Sequence, residues 1–289
     1  MREASISVIM VTSRREDEHE LAKAPRIVVF LILAFALSWF LWPFVLANPE
    51  STPMLPYGPI IAAFIVLALT RGWDGVRDLL RSIVRWRVGL GWYAVALLLP
   101  VAILLVALYL NALLGGPTPT AADFSGWYEL PLIFLITTLI KGPLTEEPGW
   151  RGFLLPRLQS NYSPLVASLI VGVIWASWHL PLLLSDPTGQ RPALQFFVLV
   201  VAQSVVFTWV YNSTGGSVLM VILMHGAFNS IASFFGPTLM GSATYGLFWW
   251  LMAGLWWVVA IAAIAVFGMA RDRAPSMETP AMARPARVQ

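Results

Sequence analysis

A chain of 289 residues that is 58% hydrophobic and only 11% charged, with a mean hydropathy of +0.75, is not a soluble globular protein, because soluble domains carry roughly a quarter charged residues. With no cysteine, disulfides, thiolate metal sites and cysteine nucleophiles are all excluded. A net charge of +3 is modest and gives no basic patch suited to nucleic acid, so the placement of the basic residues carries the information.

Residues 1–25 include the mixed-charge run Arg14-Arg15-Glu16-Asp17-Glu18-His19-Glu20, ahead of the first apolar stretch. No small-residue cleavage site follows that stretch, so these residues read as a cytoplasmic tail before an uncleaved helix rather than a signal peptide. A bilayer crossing needs about 20 apolar residues. The sequence offers eight candidates, at 26–47, 55–70, 90–114, 128–144, 164–185, 193–212, 216–236 and 243–270. The second and fourth are short and marked by proline (Pro56, Pro59; Pro131, Pro143).

Alternating the loops from a cytoplasmic N-terminus leaves Arg191 as the one basic residue outside, so 17 of the 18 fall on the inner side. That asymmetry is what the positive-inside rule asks of an even number of spans. The expected fold is therefore all-α, a polytopic membrane helical bundle of eight transmembrane helices over 26–270 with both termini cytoplasmic. The 71–89 loop alternates arginines with Val76, Leu79, Leu80, Ile83, Val84 and Trp86. It suits either a short amphipathic helix on the anionic inner leaflet or plain topological charge. Residues 271–289, rich in Pro, Ala, Met and Arg, have no apolar period and are expected to be disordered.

Against this apolar background, Thr145-Glu146-Glu147-Pro148-Gly149-Trp150-Arg151 stands out. A carboxylate in a low-dielectric setting costs several kcal/mol unless it is paired, hydrated or functional. Glu147 and Arg151 are four apart in the favourable acid-first order and make a natural intrahelical ion pair. Thr145 is suited to cap a helix starting at Glu146, with Pro148 tolerated in its first turn. Glu146 is then left without a cation at helical spacing.

Two of the three histidines lie in apolar spans: His179, in Trp175-Ala176-Ser177-Trp178-His179, and His225, in His225-Gly226-Ala227-Phe228-Asn229. His225 and Asn229 share one helix face about 6 Å apart. Trp175 sits one turn before His179, which sets the indole beside the imidazole, and Pro181 should disturb the helix and free carbonyls near His179. Gln203 and Asn212 are the next intramembrane polar residues. Taken singly, each of these residues has a structural explanation, as an ion pair, an interfacial carboxylate or an interhelical hydrogen bond. Together, one acid, two imidazoles and a carboxamide on three apolar segments make a hydrolase constellation.

These motifs, in this order, resemble the CPBP family, which comprises the type II CAAX prenyl endopeptidases and the bacteriocin-processing or self-immunity proteins. The resemblance covers about 128–235, with Trp175 standing where that family most often shows phenylalanine. It implies an intramembrane endopeptidase acting on a peptide or protein substrate at the lipid bilayer, in a multi-pass protein of the cell membrane. Glu146 and His179 would activate a water, His225 and Asn229 would stabilise the oxyanion, and Glu147 and Arg151 would support them. The chemistry is consistent with this, since a carboxylate can take a proton from water and two donors one turn apart can converge on one oxygen. No cofactor is expected; were zinc bound, Glu146, His179 and His225 would be its ligands. A non-proteolytic scaffold or immunity protein has no need of the acid and both histidines. A transporter is disfavoured by the lack of a visible internal repeat.

Overall fold

In a bilayer every backbone N–H and C=O must find a partner within the protein, so a chain this apolar has to fold as helices. The computed structural model describes residues 24–45, 54–185, 192–239 and 242–267, and every regular element among them is helical. The 1–23 tail with His19, Arg191, and the 271–289 tail with its expected disorder lie outside the described residues.

Helix α1 (Ala24–Trp39) runs into a short α2 (Trp42–Val45), followed by α3 (Gly58–Ile83) and α4 (Leu90–Leu113). Two 3-10 turns lead to α5 (Leu130–Ile140), α6 (Pro143–Glu147), a π-helical segment (Pro148–Leu154) and α7 (Leu155–Gln159). Then come α8 (Pro164–Trp178), α9 (Leu180–Leu184), α10 (Ala193–Ser213), α11 (Val218–Leu239) and α12 (Tyr245–Phe267). The protein is a multi-pass integral membrane protein: among the described residues, 6 helical stretches are long and apolar enough to cross a bilayer. Their large outward side chains, such as Leu69, Leu98 and Leu113, are suited to face lipid.

The expected fourth and fifth spans are shorter than the sequence suggested. Over 128–144 the α-helix is α5, with 11 residues, because Gly142 takes a φ of 131° and Pro143 follows it. Over 164–185 the helix stops after the 15 residues of α8. Pro181 lacks the donor needed to continue, and the chain restarts as α9 beyond His179. The second span runs further than expected, through Ile83, with Gly72 breaking the helical geometry at φ 58°, ψ −150°. The amphipathic helix of the 71–89 loop is thus present and joined to the span before it. Gly75, Leu79 and Ser82 face inward, while Arg77 and Arg81 reach Asp74 and Asp78 on the exposed face.

Around the centre, α1 packs on α3, α8 and α12 on α10, and α4 and α5 on α11. The α6–π–α7 stretch enters this bundle against α3 and α11 and is buried almost throughout. Pro148 has no N–H to give an i−4 carbonyl, and the wider π turns absorb that loss. Gly149 lets the stretch lie against α3 at backbone contact: a methyl there would sit 2.6 Å from the Pro59 carbonyl oxygen. Phe30 closes over it, stacked on Phe153 at 4.6 Å and edge-on to Trp150 at 5.7 Å. Within a membrane such close packing, rather than water exclusion, holds helices together.

The six longer spans alone, or eight crossings with α5 and α8 added, are both even numbers, so the expectation that both ends lie on one side is the same for either path. Reporter fusions at the C-terminus and in the 71–89 loop are expected to read cytoplasmic together. An external signal from either fusion contradicts the eight-crossing path.

Candidate active site

The two adjacent carboxylates diverge because successive helical residues point about 100° apart. Glu147 and Arg151 are both fully buried, and Arg151 Nη1 donates to both carboxylate oxygens, at 3.0 Å and 2.9 Å. The expected ion pair is therefore present and survives the π geometry. The remaining guanidinium nitrogens, Nε and Nη2, find no hydrogen-bond partner among the described residues. They lie instead in an aromatic slot, with the guanidinium 4.3 Å from the Trp175 ring centre and 5.0 Å from that of Phe207. Cation–π attraction offsets part of the lost hydration in such a setting.

Spacing alone paired Glu147 only with Arg151. The structure adds His225, whose Nδ1 lies 2.8 Å from Glu147 Oε1. A carboxylate oxygen in an Arg pair accepts, so Nδ1 carries the hydrogen and its imidazole is held by a fixed anion. The residues are 78 apart in sequence, and no local pattern signals the contact. Asn229 follows His225 by four residues on α11 and is half-buried, with no side-chain hydrogen bond to another described residue. Next to it, the Ser230 and Thr137 hydroxyls lie 2.6 Å apart and tie α11 to α5.

Glu146 takes no part in the Arg151 pair. It is buried, at 4% exposure, and Oε2 accepts a 2.7 Å hydrogen bond from the Trp175 indole N–H. Thr145 does not cap a helix starting at Glu146: α6 begins three residues earlier, at Pro143, with Gly142 as its cap. The Thr145 hydroxyl donates instead to the Gly142 carbonyl at 2.9 Å. Pro148 correspondingly opens the π segment rather than sitting in a first turn.

His179 occupies the joint between α8 and α9, with φ −81° and ψ 1°. Its backbone N–H bonds to Ala176 O, which leaves the Trp175 carbonyl to accept from His179 Nδ1 at 2.8 Å. A carbonyl only accepts, so in the neutral ring the lone pair lies on Nε2. The Trp178 carbonyl, also released by the break, accepts from Trp39 Nε1–H at 2.9 Å. Two carbonyls near His179 are thus taken by side chains. The Trp175 and His179 rings are tilted, 5.8 Å apart between centres, rather than stacked.

Trp175 joins the two halves of the site, since its ring also meets His225 edge-on at 5.2 Å. Glu146, His179 and Trp175 form one half; Glu147, Arg151 and His225 form the other, with Asn229 one turn beyond. Gln203 and Asn212 are buried on α10, the helix that also brings Phe207 against Arg151. Among the described residues, no three His, Cys, Asp or Glu side chains gather into a group that would hold a metal ion.

Residues 128–231 match the profile of the Rce1-like type II CAAX prenyl endopeptidases, a stretch that contains every residue of the site. The chain is also similar to CAAX prenyl protease 2 of Methanococcus maripaludis, with 28% identity over 192 residues, covering 61% of this chain and 69% of that protein.

Glu147→Gln leaves the Arg151 guanidinium buried without a counter-charge, which costs about 3–5 kcal/mol. A large fall in melting temperature in detergent is expected. Glu147→Gln combined with Arg151→Met removes both charges and is expected to recover most of that stability. It should not recover activity, because His225 still lacks its anion. A single variant that melts like the wild type contradicts the buried pair.

Proposed function

We propose that this chain, whose residues 128–231 match the Rce1-like type II CAAX prenyl endopeptidases, is an intramembrane endopeptidase in which Glu146 acts as general base and His225 with Asn229 binds the oxyanion. The observation that carries this reading is the division of labour between the two carboxylates. Glu147 is committed to Arg151 and His225, whereas Glu146 is bonded only to an indole and keeps acceptor capacity for a water. His179, anchored through Nδ1, presents Nε2 as the second group able to hold that water.

In the proposed reaction the water oxygen attacks the scissile carbonyl carbon while Glu146 takes one of its protons. The C–O π pair moves onto the oxygen, where the His225 Nε2–H and the Asn229 amide donate hydrogen bonds. Collapse of that adduct breaks the C–N bond, and the proton on Glu146 passes to the leaving amine. His225 can donate from Nε2 only as imidazolium, since Nδ1–H already faces Glu147.

The mechanism is proposed without a metal. The proposed substrate is a membrane-associated peptide or protein and the proposed location the cell membrane. The name of the archaeal relative makes a prenylated CAAX peptide the one to assay first.

Glu146→Gln keeps an acceptor for the Trp175 N–H and should melt like the wild type, yet cleavage of a fluorogenic peptide by the purified protein should disappear. Retained cleavage by this variant removes Glu146 from the role.

Losing one oxyanion donor in Asn229→Ala is expected to lower kcat by roughly a hundredfold or more, with KM little changed. Asn229→Asp replaces the donor with an acceptor and is expected to be worse. Stoichiometric zinc in the wild type that vanishes in His179→Ala or His225→Ala would overturn the metal-free mechanism.

A further inference from the structure

Trp175 is almost wholly buried, at 1% exposure, yet its polar edge is not spent on the helix it belongs to. The indole N–H points at Glu146 Oε2, 2.7 Å away, and that is the one side-chain hydrogen bond the carboxylate makes to a described residue. The other oxygen, Oε1, lies over Gly142, where any side chain would collide with it. The left-handed backbone of Gly142, at φ 131°, is one that an L side chain rarely adopts, so this wall of the site is bare backbone. Glu146 is thus held by an indole on one oxygen and by glycine on the other.

The same tryptophan also fixes its neighbours. Its ring faces the Arg151 guanidinium and meets the His225 imidazole, and its carbonyl accepts from His179 Nδ1. A phenylalanine would supply the ring and the carbonyl. It would not supply the donor.

We propose that Trp175 is a positioning residue of the active site, its indole N–H fixing the Glu146 carboxylate in the orientation that takes the water's proton. This deepens the protease reading above and rests on it. A hydrogen bond to a charged acceptor that must be placed for reaction predicts a roughly ten- to hundredfold effect on turnover when it is removed. Because the effect acts through the base, it should appear in kcat with KM nearly unchanged.

The test removes the donor while keeping the ring. Trp175→Phe is expected to lose that factor in kcat, with KM and melting temperature near wild type. Replacing Trp175 by 3-benzothienylalanine, which has the indole shape with sulfur in place of N–H, should give the same loss. Replacement by 5-fluorotryptophan, which keeps the N–H, should not. Independently of turnover, the Trp175 indole N–H resonance, assigned by its absence in Trp175→Phe, should move in Glu146→Ala. A benzothienyl protein with wild-type kcat, or an indole resonance indifferent to Glu146→Ala, overturns the inference while leaving the protease reading intact. A wild type that cleaves no peptide overturns the protease reading itself, and this inference with it.

Discussion

The Glu147 carboxylate is shared between the Arg151 guanidinium, four residues on, and the His225 imidazole on another helix, all withdrawn from solvent. Moving such ions out of water costs several kcal/mol each, recovered only where geometry and further hydrogen bonds are good. The remainder of the core is arranged to meet that condition. The π segment keeps Arg151 within reach of Glu147 despite Pro148, and Gly149 brings the segment against α3. Trp175 and Phe207 cover the face of the guanidinium that no acceptor reaches. Once Glu147 has taken the only guanidinium nearby, the neighbouring Glu146 has to be satisfied differently. An indole does so without neutralising it, which is why two adjacent acids in one helix acquire different environments.

Breaks in the helices supply the anchoring points. An apolar interior offers no water to a released carbonyl, so each interruption must be closed by a side chain. At the break before Pro143, Gly142 O opens α6 by accepting the Glu146 N–H at 2.7 Å, and the Thr145 hydroxyl adds a further bond to it. The break ahead of Pro181 is closed twice, by His179 on Trp175 O and by Trp39 on Trp178 O. Proline and glycine therefore do more here than end helices: they create acceptors at defined positions, and one of those acceptors sets the tautomer of His179. A continuous α8 would have spent the Trp175 carbonyl on the backbone N–H of residue 179 and left the imidazole without that restraint.

Much of this was legible in the sequence where the cause is local. The helical class follows from hydropathy, the Glu147–Arg151 pair from a spacing of four, and the freed carbonyls near His179 from Pro181. The lengths of the fourth and fifth spans were not legible, because hydropathy counts apolar residues and does not register that Gly142 and Pro181 stop the helix among them. Thr145 misled for a related reason. Its type suits a cap, but Gly142-Pro143 offers an earlier start, with the strained φ carried by glycine and a ring already set for the first turn. The Glu147–His225 and Glu146–Trp175 contacts join elements far apart in the chain, and only tertiary packing decides them. For Trp175 the residue type was no clue, since the buried indoles of Trp150, Trp178 and Trp256 meet no acceptor among the described residues.

The proposed chemistry gains from this arrangement in one further respect. With His225 as imidazolium, the buried groups are two anions, Glu146 and Glu147, and two cations, Arg151 and His225. When Glu146 takes the water's proton it becomes neutral, and the oxyanion that appears beside His225 and Asn229 carries the charge instead. The total charge of the cluster does not change during the step; one negative charge is relocated from the indole side of the site to the imidazole side. In a low-dielectric interior the creation of net charge is what costs most, and donors already fixed in place need no reorganisation to receive it. On this reading Glu147 and Arg151, which never touch the substrate, set the electrostatic frame within which the charge can move. That places the demand on the pair's geometry rather than on its net contribution to stability.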